Sequence, residues 1–185
     1  PLIKTLLESE GHRVSAMVSK IGWATYSFNR EPSYFSTLLQ GDPDTIIVSL
    51  GGNNSKLSSS YGKSVGEFLS NIGYPKRKVI WIGAAKAVRK DVEDRHEWTS
   101  EWLKNNLPSD VIFIDARPHT MTGHRDDGVH FTRAAYKQWV DGISPQLLSS
   151  ISLPPILYRA KKATPYALFI LSLMGLGYAA WRRFR

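Results

Sequence analysis

The sequence predicts an α/β fold: an open, mostly parallel sheet of the doubly wound, flavodoxin-like type, with helices on both faces in a three-layer sandwich. Short apolar runs that indicate strands alternate along the chain with amphipathic helical segments. The runs are continuously apolar, which is typical of parallel strands covered on both faces. The 185 residues include 42% hydrophobic and 22% charged residues, a globular composition that excludes wholesale disorder.

The elements of this domain follow in order along residues 1–151. An amphipathic helix opens the chain with Leu2, Leu6 and Leu7 on one face, and Gly11 is expected to end it. Pro145 lies inside the last helix and is expected to kink it or to end it early. The other predicted helices are residues 32–40, 61–72, 91–106 and 132–150, and the predicted strands are residues 14–19, 45–50, 78–82 and 111–114.

Positive charge is concentrated at the C-terminal end of the chain. Of the net charge of +8, six cations and no acids lie in residues 159–185, which leaves +2 for residues 1–158. Nucleic-acid binding requires cations clustered on the folded surface, so no nucleic-acid partner is expected. The absence of Cys excludes a disulfide scaffold, a thiolate zinc site and a Cys nucleophile.

Residues 165–181 form an uncharged, mostly apolar segment that predicts a single-pass transmembrane helix. Cations flank it on both sides, and aromatic residues lie near its ends, as at a membrane interface. The alternative is a buried core helix, but core helices seldom carry cations at both ends. We therefore expect membrane localisation, with a linker at residues 152–164 and a basic tail at residues 182–185. Three cations lie on each side, so the charges predict no orientation.

Three polar segments are predicted at the C-terminal ends of the strands, where ligands bind in this class of sheet. Gly51-Gly52-Asn53-Asn54 follows one strand, and Gly22-Trp23 follows another. Asp127-Gly128-Val129-His130 precedes the last helix.

Asp127 and His130 are three residues apart at the start of a helix, so their side chains can meet on one side of a turn. A carboxylate bonded to imidazole fixes the tautomer and stabilises imidazolium, as a general base requires. The alternative is a helix-entry Asp with an incidental His, since Thr132 is available as the helix cap. The amide of Asn53 can donate to a developing oxyanion, although Gly and Asn are also the ordinary residues of a polar turn.

Together these segments resemble the blocks of the SGNH (GDSL-like) hydrolase family, in order over most of residues 1–150. VSLGGNN resembles the block that supplies the Asn of the oxyanion hole, and this Asn corresponds to Asn53. SKIGWAT resembles the block whose Gly donates a backbone N–H to the oxyanion hole, and this Gly corresponds to Gly22. DGVHFT resembles the block with the catalytic Asp and His, here Asp127 and His130. Asn54 replaces the Asp that is usual in the family, a mainly structural position.

The resemblance implies a serine hydrolase of ester or acyl groups, with His130 as base, Asp127 orienting it, and Asn53 and Gly22 in the oxyanion hole. The substrate would be an acylated small molecule, glycan or lipid, and no cofactor is expected. The alternative is a catalytically inactive module of the same fold that serves as a membrane-tethered structural or binding protein, for example in a phage particle.

The nucleophile departs from the family pattern. The family's Ser lies in a Gly-Asp-Ser motif between the first strand and the first helix, but here the first helix begins at about Pro1. We expect that this central strand and its Ser belong to a piece that precedes Pro1. Ser19 and Ser55 are the alternatives within the sequence, and neither lies where the family geometry requires it.

The remaining histidines are not predicted to act in the site. His119 and His124, with neighbouring Asp residues, outline a conceivable metal site, but polar loops often contain such clusters and no metal is predicted. His12 and His96 are expected to be exposed. Trp23 is expected either to line the mouth of the site or to pack on the edge of the sheet.

Overall fold

Helices alternate with parallel strands in the computed structural model, which describes residues 2–20, 22–54, 59–120 and 122–152. The pattern confirms the predicted α/β class. The helices are α1 (Leu2–Ser9), α2 (Thr25–Asn29), α3 (Pro32–Leu38), α4 (Ser59–Asn71), α5 (Lys90–Asn106) and α6 (Arg133–Ser152), and the strands are β1 (Thr45–Val48), β2 (Lys78–Ile82) and β3 (Ile112–Ile114).

The described part of the chain forms a sheet with the strand order β1-β2-β3, and both pairings are parallel. Ile46 is paired with Val79, and Trp81 with Phe113. Because the strands are parallel and neighbouring, each crossover must return the chain across a face of the sheet. Helices α4 and α5 make these two returns, so the loops after β1, β2 and β3 share one edge of the sheet.

Two apolar clusters cover the two faces of the sheet and produce the predicted three layers. On one face, Val48 and Trp81 pack with residues of α2, α3, α4 and α5. On the other face, Ile80 and Ile114 pack with α6 and with apolar residues of α1. The fully buried Trp81 side chain also donates from Nε1 to the carbonyl oxygen of Leu50 at 2.9 Å, which ties β2 to the end of β1.

The strand predicted at residues 14–19 was wrong. Residues 13–20 are irregular in the structure, and among the described residues no strand pairs with the outer edge of β1. A groove of about 1690 Å³ runs along that edge, with residues 12–20 on its far side. A strand needs a neighbour to satisfy its backbone, and this segment faces a groove instead.

Helix α2 was not predicted. The helix predicted over residues 132–150 is confirmed as α6, which continues past Pro145 to Ser152, so the expected alternative of an early end at Pro145 was wrong. Pro145 removes one backbone donor from α6, but Ile143 and Leu147 on either side of it are fully buried against the sheet. Their burial offsets the lost hydrogen bond.

The predicted linker, membrane span and basic tail fall almost entirely outside the described residues, which end at Ser152. Within the described ranges, no helix is both long and apolar enough to cross a membrane.

Candidate active site

The Asp127–His130 loop holds its two polar side chains against each other. His130 Nδ1 lies 2.7 Å from Asp127 Oδ2, and the backbone N–H groups of Val129 and His130 donate to Asp127 Oδ1, each at 2.8 Å. These bonds, led by the one from the imidazole, hold the pKa of the Asp127 carboxyl well below its usual range. An ionised carboxylate can only accept, so Nδ1 carries a proton, and in the neutral tautomer that this contact selects Nε2 is the acceptor.

The local backbone explains why this loop folds as it does. Gly128 has φ +65°, a conformation that favours glycine. The Arg125 N–H donates to the His130 carbonyl oxygen at 2.7 Å, which closes the turn around the pair. Thr132 then caps α6, because its Oγ1 accepts from the Ala135 N–H at 3.3 Å. The loop is therefore anchored at the start of a well-packed helix.

The turn after β1 presents Asn53 at the same edge of the sheet. Gly51 has φ +135°, and a Cβ there would lie 2.7 Å from the Thr99 methyl group, so the position requires glycine. The Asn54 N–H donates to the Gly51 carbonyl oxygen at 3.0 Å. Asn54 itself is buried and donates from Nδ2 to Thr25 Oγ1 at 2.9 Å. Asn54 thus fixes the base of the turn and leaves Asn53 exposed.

The Gly22-Trp23 loop meets this turn. Asn53 Nδ2 donates to the Trp23 carbonyl oxygen at 3.4 Å, so two of the three predicted segments are in contact. Gly22 is exposed and has φ +76°. The Trp23 ring is half-buried and packs edge-to-face on Phe28 of α2 and Tyr34 of α3.

The site therefore consists of two halves. One half is the pair Asp127–His130, and the other joins Asn53 to the Gly22-Trp23 loop. Among the described residues, no hydrogen bond links His130 directly to Asn53 or brings a hydroxyl group to His130 Nε2. Ser19 is exposed, and Ser55 lies outside the described residues.

Two histidines differ from the sequence prediction. His12 and His96 are half-buried rather than exposed. His96 was missed because its neighbours, Ala85 and Gly52, come together only through the tertiary fold. His124 contacts the Lys86 carbonyl oxygen through Nε2 at 3.0 Å, and within the described ranges no group of three potential ligands could hold a metal ion.

Comparison with known proteins identifies the architecture. No protein-family profile and no curated protein matches the chain. A carbohydrate esterase of family 3 from Talaromyces cellulolyticus matches with a TM-score of 0.57 and 19% identity, over 80% of this chain and 88% of that one. The likeness shows that the two chains share a fold. An acetyl esterase with a serine-to-alanine substitution, solved with an acetate ion, matches with a TM-score of 0.55, 19% identity and the same two coverages.

The parallel α/β fold accounts for the position of both halves of the candidate site. Asn53 follows β1, and the Asp127–His130 loop joins β3 to α6, so both lie beyond the C-terminal ends of parallel strands. This is the edge where open α/β sheets bind their ligands.

Proposed function

We propose that the protein is a membrane-anchored SGNH-type hydrolase that cleaves acyl esters, with a carbohydrate as the alcohol part. The contact of 2.7 Å between His130 and Asp127, at the edge of the sheet that also carries Asn53, is the observation that carries the proposal. The two similar structures, a carbohydrate esterase and an acetyl esterase, support the substrate class.

In the proposed reaction, His130 Nε2 takes the proton of a serine hydroxyl as the serine oxygen attacks the ester carbonyl carbon. Asp127 stabilises the imidazolium that results. The imidazolium then protonates the departing alcohol oxygen, which leaves an acyl-serine. Water, deprotonated by the same imidazole, releases the carboxylic acid and restores the serine.

The tetrahedral intermediate places negative charge on the former carbonyl oxygen. Asn53 is exposed, and its amide makes only a long contact of 3.4 Å with Trp23, so it is available to donate to that oxygen. The backbone N–H of Gly22 is the second proposed donor. Removing one such donor typically costs roughly 10²–10³ in kcat.

The nucleophilic serine is proposed to end a strand that precedes α1 in the protein's chain and occupies the groove beside β1. Within the described part of the chain, the outer edge of β1 pairs with no strand, and the groove is lined both by β1 and by the irregular residues 13–20. Apolar side chains on both sides of the groove, including Val14, Val18 and Ile47, suit a strand that is buried on both faces. Residues 14–19 would then gain the pairing partner that they lack.

The predicted membrane span at residues 165–181 is proposed to keep the domain beside a cell envelope. An envelope glycan or lipid that carries acyl groups would then be within reach. This part of the proposal is supported by the uncharged run and its flanking cations.

The test is hydrolysis of p-nitrophenyl acetate and of an acetylated oligosaccharide by the full-length protein and by His130→Ala. Loss of turnover in His130→Ala, with turnover retained in the matched control His119→Ala, is the expected result. Equal turnover in the parent and His130→Ala would show that the assigned base is wrong. A full-length protein that is inactive on every ester would favour the non-catalytic module instead.

A further inference from the structure

The connection between β2 and α5, residues 83–89, touches the half of the site that contains His130. The backbone N–H groups of Val88 and Arg89 both donate to the Gly128 carbonyl oxygen, at 2.8 and 3.1 Å. The Lys86 carbonyl oxygen contacts His124 Nε2, just before the Asp127–His130 loop. These hydrogen bonds fix the position of the Asp127–His130 loop relative to the connection.

The first turns of α5 touch the other half. Arg95 Nε donates to the Gly52 carbonyl oxygen at 2.8 Å, on the peptide that leads directly into Asn53. His96 lies beside it, with Nε2 only 2.9 Å from the point where a Cβ on Gly52 would lie. A Cβ at position 52 would therefore displace the imidazole, so the Gly52–Asn53 turn packs directly against His96.

His96 joins these two sets of contacts. Its Nδ1 lies 2.7 Å from the Ala85 carbonyl oxygen, which belongs to the same connection that holds Gly128. Because a carbonyl oxygen can only accept, Nδ1 carries a proton. Burial lowers the pKa of His96, which favours the neutral form of the ring.

The connection is itself held firmly. Glu93 Oε2 accepts from the Ala87 N–H at 2.8 Å, and Glu93 Oε1 accepts from Arg117 Nη2 at 2.7 Å. Both partners of Glu93 are mostly shielded from solvent. A change at His96 is therefore expected to shift the exposed Gly52–Asn53 turn rather than the connection.

We propose that His96, together with Arg95, is a positioning residue that fixes the Gly52–Asn53 turn relative to the Asp127–His130 loop. The inference rests on the proposed function, because it concerns how the two halves of that site keep their spacing. Neither side chain is proposed to touch substrate. A donor displaced by about 1 Å can cost roughly 10²-fold in rate, so such a support has a measurable effect.

The first test is kinetic. His96→Leu is expected to lower kcat for p-nitrophenyl acetate by roughly 10- to 10²-fold with KM little changed. His96→Asn, whose amide can still donate to Ala85, should recover most of kcat. Lys90→Met, an exposed change on the same helix, is the matched control and should behave as the parent.

A double-mutant cycle separates positioning from general destabilisation. If His96 acts through Asn53, the effect of His96→Leu should largely disappear in an Asn53→Ala background. Fully additive losses, or a loss confined to KM, would overturn the proposal.

The second test does not depend on activity. Hydrogen exchange of the Asn54 amide, which donates to Gly51, should become faster in His96→Leu and stay unchanged in Lys90→Met. Unchanged exchange would overturn the proposal even in an active enzyme. If the parent hydrolyses no ester while exchange still responds to His96→Leu, the proposed function fails and the positioning role stands.

Discussion

The two carboxylate oxygens of Asp127 have different hydrogen-bond partners and therefore different roles. Its Oδ1 accepts two backbone N–H groups and so shapes the turn, whereas its Oδ2 accepts from His130 and so orients the imidazole. Because the two tasks fall on different oxygens, an amide in place of the carboxylate can preserve the turn while it changes the proton on the ring.

Asp127→Asn is therefore expected to lower kcat by roughly 10⁴-fold without unfolding the loop. With its amide oxygen kept on the backbone donors, the amide Nδ2 would donate to Nδ1 and move the ring proton to Nε2, which could then no longer accept from a serine. The comparison is ester hydrolysis by the parent, by Asp127→Asn and by the matched control Asp126→Asn. A variant that keeps full activity would contradict the role of Asp127.

The difference in stability between the parent and Asp127→Asn is also expected to depend on pH. The folded-state pKa of the Asp127 carboxyl lies below its unfolded value of about 3.9, so the carboxylate's contribution to stability is complete above that pH. It should be lost as the pH falls further, through the folded pKa. Acid unfolding should accordingly show the advantage of the parent over Asp127→Asn shrinking below about pH 4. An advantage that grows below that pH would contradict the sign.

At the scale of elements, sequence patterns predicted the helices and strands that depend mainly on local interactions. Strand β2 coincides with its predicted range, because its apolar run is bounded by turn residues, and α5 differs by one residue at its start. The strand expected at residues 14–19 failed because a strand depends on a partner elsewhere in the chain. Helix α2 has only five residues, too few to show a period. Helix α6 passes through Pro145 because tertiary burial outweighs local propensity.

The contacts of the candidate site can likewise be divided into those that the sequence predicts and those that depend on the tertiary fold. The contact of Asp127 with His130 was predictable, since the two residues are only three positions apart and lie in one turn. The contact of Asn53 with Trp23 and the burial of His96 depend on segments that are far apart in sequence, 30 residues apart in the first case. Only the fold brings these segments together.

The predicted membrane span lies outside the described residues, and deleting it tests the proposed anchor. Because the uncharged run and its flanking cations are proposed to hold the protein at the membrane, deleting residues 165–185 is expected to move it from the membrane fraction to the soluble fraction. Continued sedimentation with membranes would refute the anchor.

At the scale of the whole molecule, the two halves of the candidate site lie on separate elements at one edge of a parallel sheet. The Asp127–His130 loop leads into α6, and the Asn53 turn follows β1 and packs against α5. The open groove lies beside β1. A serine delivered along that groove would emerge at the edge that carries both halves. The proposal for the whole molecule is therefore that the nucleophilic hydroxyl comes from a strand in the groove.

Labelling of the full-length protein with a fluorophosphonate, followed by peptide mass spectrometry, tests that claim most directly, because the reagent modifies activated serines. We expect a single labelled serine that lies before α1 in the chain, with labelling lost in His130→Ala. No labelling, labelling at Ser19, or labelling that persists in His130→Ala would contradict it.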